Sequence, residues 1–348
     1  MGRRNALLIT IVSIAVLVLA LRGVASVFVH FDPALAPHKG NTKYSSIYNH
    51  KDRSLGEPVF NDEHIAGGIV DTPGDIVIDS SELPLSSAPG SGFNTSDNVV
   101  RMTISDLSHG NLILVNHDYR FDIPVDQDLV RIYDHKTPSF RLDVNTHLLA
   151  PHVIMPLNDM MDSFYAQTGH NTVAVISAFR GLSRQQYVLN EHIAIMGSAE
   201  AHRWVALPGH SEHHTGLAFD LGFYSGGRLR TFTGTGVYAW FRDNSYNYGF
   251  ILRFPESGVN ITGTYYEPWH YRYVGLPHSY LIFQNDWVLE DYIGYIAEYS
   301  QDEPLVTEYN GVVYEIFFTS DFEIFIPLNC EFDISGNNTD GFIVTMWR

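Results

Sequence analysis

The sequence predicts an α+β fold in which helices flank a small, mostly antiparallel sheet. Segments with helical periodicity stand before and among short apolar runs of strand length, which is typical of an α+β domain. The last residues of the chain, 304–348, contain strand patterns alone. We therefore expect one α+β domain followed by a small β module.

The first residues predict a membrane segment. Arg3 and Arg4 precede an apolar stretch over residues 6–21, long enough for a secretory signal but slightly short for a span of about 20 residues. Residues 24–27 could extend it into an anchor, although the small residues there also permit cleavage. The charges before the segment place the rest of the chain outside the cell. We interpret residues 1–28 as an uncleaved anchor, with a cleaved, secreted form as the alternative.

Residues 29–100 have the composition of a linker. Turn signals rich in Pro, Gly and Ser recur without steady periodicity, as at residues 71–74 and 86–92. Aromatic and aliphatic residues are too few for an independent core. We expect a tether that carries the next domain away from the bilayer.

Residues 101–298 carry the signals of the main domain. Apolar runs predict strands at 111–116, 173–176 and 216–221. Amphipathic segments predict helices at 148–168, 183–196 and 237–244, and another within 280–298. Ser183 is a candidate N-cap for the second helix, and Gly169 can stop the first.

The β module is predicted by a hairpin signal. Asn310-Gly311 is a turn pair that is followed by a strand up to Phe318. Two further strands are predicted at 323–327 and 341–345. A unit of about 45 residues usually needs support from a neighbour, so we expect it to pack on the main domain.

Two separated motifs carry the most specific chemistry. The first is SEHHTGLAFD at residues 211–220, and the second is EPWH at residues 267–270. Together they supply imidazoles and a carboxylate that could bind a metal, and a second carboxylate three residues before a histidine. Three protein ligands, an open coordination position and a nearby base are the components of a catalytic zinc site. The combination is far more specific than any one of the 17 histidines.

The positions of these residues suggest their roles. Asp220 lies on a predicted strand, and His213 lies on the turn before it, so residues seven apart can converge on one point. Adjacent residues of an extended segment point to opposite faces, so only one of His213 and His214 should reach the metal. The proline of the second motif argues against a helix there. His270 is then the better third ligand and Glu267 the better base.

The pattern resembles the VanY-type D-alanyl-D-alanine carboxypeptidases, zinc peptidases of the bacterial cell wall that are related in structure to the hedgehog amino-terminal domain. The resemblance covers about residues 101–298 and includes SAFR at 177–180, YGFILRFP at 248–255 and YRYVGLPH at 271–278. It implies zinc ligation by His213, Asp220 and His270, with Glu267 as general base and Arg180 as the arginine that stabilises the transition state. Phe179 departs from the family pattern, because many members have tyrosine before the arginine.

The resemblance implies hydrolysis of the terminal D-alanine of peptidoglycan stem peptides, with one Zn²⁺ per chain. Glu267 would take the proton of the attacking water, and Arg180 would offset the charge of the oxyanion. Ser211 and Gln185 are either hydrogen-bond donors to the substrate or a turn residue and a helix-surface residue. The β module either recognises the wall or only extends the structure.

Two other functions fit the same motifs. One is an L,D-carboxypeptidase that acts on tetrapeptide stems, and the other is a zinc-stabilised wall-binding module without catalysis. The presence of both Glu267 and Arg180 favours an enzyme. The net charge of −18 argues against nucleic acid and anionic lipid surfaces as partners. Neither Gly-x-Ser-x-Gly nor Ser-x-x-Lys occurs, so a serine nucleophile has no local support.

Overall fold

The structure, a computed structural model, describes residues 97–348. The predicted membrane segment at 1–28 lies outside the described residues, as does the predicted linker up to residue 96. Within 97–348, the helices are too short or too polar for any of them to cross a bilayer.

The described residues form eight helices and fourteen strands. The helices are α1 (Ile132–His135), α2 (Pro151–Thr168), α3 (Leu182–Met196), α4 (Ser198–Ala201), α5 (Ala239–Asn244), α6 (Val259–Thr262), α7 (His278–Gln284) and α8 (Leu289–Ile296). The strands before the β module are β1 (Asp97–Arg101), β2 (Val130–Arg131), β3 (Arg141–Leu142), β4 (Leu148–Leu149), β5 (Val173–Ser177), β6 (Ala218–Ser225), β7 (Arg228–Thr231), β8 (Phe250–Leu252) and β9 (His270–Tyr273). Those of the module are β10 (Leu305–Tyr309), β11 (Val312–Thr319), β12 (Glu323–Pro327), β13 (Glu331–Gly336) and β14 (Phe342–Trp347).

A six-stranded sheet forms the centre of the main domain. Its order is β3-β5-β6-β9-β8, and β7 pairs with the second half of β6. Only β3 and β5 run parallel; the other pairs are antiparallel. The expected α+β architecture with a small, mostly antiparallel sheet is therefore confirmed, and the strands that carry the two motifs lie side by side inside it.

Helix α2 covers one side of the central sheet. Its six buried residues belong to the same apolar cluster as Val173, Phe219 and Tyr271 of the sheet; they are Val153, Ile154, Leu157, Met160, Met161 and Phe164. Pro is tolerated at its first position, where the missing N–H has no helical partner. The helix begins three residues later than predicted because Leu148–Leu149 pair with β2 instead. It ends at Gly169, which adopts φ 72°, as predicted.

Three details of the predicted elements are wrong. Gly181 caps α3, so Ser183 is already inside the helix. The predicted fourth helix is divided into α7 and α8, because residues 285–287 leave the helical path and Asp286 has φ 53°. Residues 111–116 are not a strand: Asn111 and Leu112 belong to a turn, residues 112–115 are buried, and none of the six pairs with a strand.

The segment 111–116 obtains its hydrogen bonds from loops and side chains. The Leu114 N–H donates to the Asn337 carbonyl, and the Arg272 guanidinium donates to the carbonyls of Asn111 and Ile113. Its side chains alternate between two apolar clusters. Ile113 and Val115 join the cluster under the central sheet, whereas Leu112 and Leu114 join that of α7, α8 and the β module.

The β module contains the predicted hairpin. Asn310 and Gly311 both have positive φ, 53° and 80°, as a two-residue hairpin turn requires. Its sheet has the order β10-β11-β14-β13, of which β10 and β13 were not predicted. Strand β12 pairs instead with β1, so residues 97–100 of the predicted linker belong to a strand. Leu305, Ile316 and Ile343 share an apolar cluster with α7 and α8, so the module packs on the main domain as expected.

Gly216 is a position where the backbone needs glycine. It has φ 72° between the turn at residues 212–215 and strand β6. An added Cβ would lie 2.6 Å from Leu129 and 3.2 Å from the Ala150 nitrogen. Gly216→Ala should therefore lower the free energy of unfolding by about 2–4 kcal/mol, measured by chemical denaturation.

Gly227→Ala is the matched control. This residue has a similar φ of 76° but no atom near an added Cβ, so only the backbone strain remains. We expect a loss of about 1–2 kcal/mol. Equal losses in the two variants would mean that the contact with Leu129 and Ala150 is unimportant.

Candidate metal centre and active site

Three side chains that can bind a metal meet on the central sheet. His213 lies on the 3-10 turn at 212–215, Asp220 lies on β6, and His270 is the first residue of β9. Asp220 and His270 are direct partners in the pairing of β6 with β9. One ligand atom from each of the three residues lies within 4.8 Å of the other two.

The two histidines present different ring nitrogens to this point. His213 Nε2 lies 3.2 Å from Asp220 Oδ2, while its Nδ1 is 2.7 Å from the Ala178 carbonyl. In His270 the roles are reversed: Nδ1 lies 2.8 Å from Asp220 Oδ1, and Nε2 is 3.4 Å from Glu212 Oε2. Because a ring nitrogen that carries a proton cannot bind a metal, these partners leave Nε2 of His213 and Nδ1 of His270 for an ion.

The donor set fits zinc. Two imidazole nitrogens and one carboxylate oxygen are ligands that Zn²⁺ accepts, and three protein ligands leave one position open, as in catalytic sites. In the part of the chain from 97 to 348, no other cluster of three His, Cys, Asp or Glu residues has this geometry. His214 is engaged elsewhere, since its Nδ1 donates to the Arg180 carbonyl and its Nε2 accepts from the Gly209 N–H.

Burial and charge set the pKa values of the cluster. Burial, together with the charge of Arg180, lowers the pKa of His213 to about 4. Burial also disfavours the charged form of His270, but its hydrogen bonds to Asp220 and Glu212 outweigh this and raise its pKa to about 9. For Asp220, the charges and hydrogen bonds of both histidines overcome burial and hold the pKa well below its usual value. The carboxylate is therefore ionised and ready to act as a ligand.

Glu267 stands beside the ligands with an unusual pKa. Glu267 is only 6% exposed to solvent. Burial raises its pKa to about 8, with Asp220 and Glu212 adding to the effect and His270 and Arg180 opposing it. A carboxyl group whose pKa lies near the working pH can both take and return a proton, as a general base requires.

Arg180 extends from the loop after β5 toward the same point. Its Nη2 donates to Ser177 Oγ at 2.7 Å and lies 3.7 Å from Asp220 Oδ2, and its Nη1 donates to Gln185 Oε1 at 2.9 Å. Its backbone N–H donates to the His213 carbonyl. The guanidinium is thus held beside the candidate ligand Asp220 by partners on β5 and α3.

Comparison with known proteins agrees with this geometry. Residues 146–276 match the family model described as VanY: D-alanyl-D-alanine carboxypeptidase. A D-alanyl-D-alanine carboxypeptidase from Enterococcus faecium is 34% identical over 270 residues, which cover 73% of this chain and 81% of that protein. The chain belongs to the VanY family. The family model and this relative are both described as D-alanyl-D-alanine carboxypeptidases, as the resemblance in the sequence implied.

Two further relatives extend the comparison. A D-alanyl-D-alanine carboxypeptidase from Enterococcus faecalis (strain ATCC 700802 / V583) is 33% identical over 237 residues, covering 62% of this chain and 81% of the relative. The crystal structure of the vancomycin resistance D,D-dipeptidase VanXYg, in complex with a D-Ala-D-Ala phosphinate analog, is 33% identical with a TM-score of 0.64. The aligned region covers 72% of this chain and 99% of the VanXYg chain, so the likeness extends well beyond residues 146–276.

Ser211 and Gln185 are both buried and hydrogen-bonded within the protein. Ser211 Oγ accepts from the His213 N–H at 3.4 Å and caps the 3-10 turn. Gln185 Nε2 donates to the Ala206 carbonyl, and its Oε1 accepts from Arg180. The Ser211 hydroxyl hydrogen and the second amide hydrogen of Gln185 remain for other partners. Their contact with substrate stays a prediction.

Sequence reasoning missed Glu212, the residue between Ser211 and His213. Its carboxylate is buried and contacts Arg253, Arg272 and His270. The charges of the two arginines overcome burial and hold its pKa well below the usual value. A signal was present in the sequence, because both arginines interrupt strand-like apolar segments where a buried charge requires a partner.

With zinc removed by a chelator, the Glu267→Gln variant should gain stability relative to the wild type as the pH rises. In the wild type the unfolded carboxyl ionises above 4.5, whereas the folded one stays protonated up to about 8. Wild-type stability therefore falls through that range relative to the variant, by about 1.4 kcal/mol per pH unit. Denaturation of both proteins at several pH values measures the difference.

The exposed Glu256→Gln variant is the control, and its difference from wild type should not change over the same range. If the difference in unfolding free energy between Glu267→Gln and the wild type also stays constant with pH, the raised pKa of Glu267 is contradicted.

Proposed function

We propose that this enzyme removes the terminal D-alanine from peptidoglycan stem peptides, with zinc held by His213, Asp220 and His270. One observation carries the proposal: the three ligand atoms lie within 4.8 Å of one another, with Glu267 and Arg180 beside them. The likeness to VanXYg, whose structure holds a D-Ala-D-Ala phosphinate analog, supports a substrate of this class.

Each residue has a role in the proposed reaction. Zinc in this site would polarise the scissile carbonyl and lower the pKa of a water molecule. Glu267 takes the proton of the attacking water and returns it to the leaving amine of D-alanine. Burial disfavours the ionised form of Glu267, which makes its carboxylate a stronger base.

Arg180 stabilises the charge that develops during attack. Ser177 and Gln185 hold its guanidinium on two sides, so the remaining N–H groups are directed in advance. Donors fixed before the reaction stabilise an oxyanion more than donors that must reorganise. We assign Ser211 and the free N–H of Gln185 to binding the peptide or its terminal carboxylate.

The remaining parts of the chain are proposed to deliver the enzyme to its substrate. Residues 1–28 would anchor the chain in the cell membrane, or be cleaved to release it, and 29–100 would tether residues 101–298, the catalytic domain, in the wall. The composition and charge of the amino-terminal residues support this arrangement. The β module at 304–348 would support the catalytic domain through the apolar cluster that they share.

Defined stem peptides test the reaction. The purified enzyme with zinc should shorten a pentapeptide that ends in D-Ala-D-Ala by one alanine and leave the corresponding tetrapeptide intact, as measured by product mass. Faster cleavage of the tetrapeptide would instead make the enzyme an L,D-carboxypeptidase.

Glu267→Gln separates an enzyme from a binding module. The variant keeps all three proposed zinc ligands, so it should bind one equivalent of metal by elemental analysis. It lacks the base, and kcat should fall by about 10²–10⁴-fold. If the wild-type protein binds zinc and stem peptides but releases no alanine, the catalytic proposal fails.

Arg180→Lys tests the role of the planar guanidinium. A lysine keeps the charge but cannot reach Ser177, Gln185 and the oxyanion together, so kcat/KM should fall by about 10²–10³-fold with zinc content unchanged.

Arg242→Lys is the matched control for Arg180→Lys. This arginine forms an exposed ion pair with Asp243, and its replacement should leave kcat/KM unchanged. A similar loss in both variants would remove Arg180 from the mechanism.

A further inference from the structure

A buried carboxylate divides its two oxygens between structure and site. Glu212 is 3% exposed. Its Oε1 accepts from Arg253 Nε at 2.7 Å and from Arg272 Nη1 at 2.8 Å. Its Oε2 faces His270 Nε2 at 3.4 Å, which is the ring nitrogen turned away from the proposed metal position.

The two arginines are themselves fully held. Neither is exposed to solvent. Arg253 makes a bidentate pair with Glu290 at 2.7 and 2.8 Å, and Glu290 also accepts from Asn116. Arg272 donates to the carbonyls of Tyr273, Asn111 and Ile113. Two positive and two negative side chains balance, so the network carries no net charge.

This arrangement exceeds what a stabilising ion pair needs. A buried ion pair is weak support for stability, because desolvation offsets much of the attraction. Here the arginines already fix Glu212 through Oε1 alone, and the second oxygen is directed at a proposed ligand.

We propose that Glu212 is a positioning residue for zinc. By accepting the Nε2–H of His270, it fixes the tautomer whose unprotonated Nδ1 faces the metal, while Arg253 and Arg272 fix Glu212. The inference rests on the proposed assignment of His270 as a ligand. Carboxylates that orient ligand histidines in this way typically change metal affinity 10- to 100-fold when they are removed.

Glu212→Gln changes this contact with the least change of shape. The amide oxygen can still accept from both arginines, but the amide N–H₂ then faces His270 Nε2 and favours a proton on Nδ1, where it blocks the metal. We expect zinc to bind 10- to 100-fold more weakly, measured by competition with a chelator. The absorption spectrum of the Co²⁺-loaded protein should change as well.

Glu290→Gln is the matched control. It removes the same charge from the same network and also leaves Arg253 with a weaker partner, but it does not touch His270. It should lower thermal stability about as much as Glu212→Gln and leave zinc affinity within about threefold. Equal losses of affinity in the two variants, or none in either, would overturn the proposal.

The wild-type protein offers a test that does not depend on the variants folding. In the zinc-loaded enzyme with ¹⁵N-labelled histidine, NMR should find His270 protonated at Nε2 and metal-bound at Nδ1, and His213 the reverse. Zinc on Nε2 of His270 would overturn the role of Glu212. Zinc binding with these tautomers but without cleavage of stem peptides would sink the proposed reaction and leave this inference standing.

Discussion

The candidate site depends on one backbone pairing, that of β6 with β9. It places Asp220 directly opposite His270, although the two residues are 50 positions apart in the chain. The turn at 212–215 then brings His213 to the same carboxylate, because Gly216 can adopt the positive φ that joins the turn to β6. The proposed metal ligands come from three elements, and their convergence depends on this one register. A slip by one residue would turn Asp220 to the opposite face of the sheet.

The same pairing explains why charged groups are so numerous under the site. His270 and Arg272 are two residues apart on β9 and therefore share a face. His270 lies beside Asp220 and His213, and Arg272 lies behind it against Glu212. Arg253 directly follows β8, the strand that pairs with β9, and completes the ion network. Rigid positioning of the ligands is thus provided by buried charges that satisfy one another, not by apolar packing alone.

Much of this could be predicted from the sequence where local chemistry decides. The proposed ligands and base lie within two short motifs, and the turn, strand and proline around them restrict their geometry. The Asn310-Gly311 hairpin and the stop at Gly169 follow from residues that tolerate positive φ. Long-range partners could not be predicted in this way. Residues 111–116 have the composition of a strand. Whether their backbone groups form hydrogen bonds with another strand or with a side chain such as Arg272 depends on the tertiary fold.

The buried segment at residues 111–116 has a practical consequence. Its side chains alternate between the apolar cluster under the sheet and that of the β module, and its N–H at Leu114 is bonded to Asn337. A chain shortened to residue 303 would uncover Leu112 and Leu114 and strip this backbone of an acceptor. The same stretch bears the carbonyls that hold Arg272, which holds Glu212. A shortened form of this protein, made for crystallography or fusion, should therefore keep the β module together with the main domain.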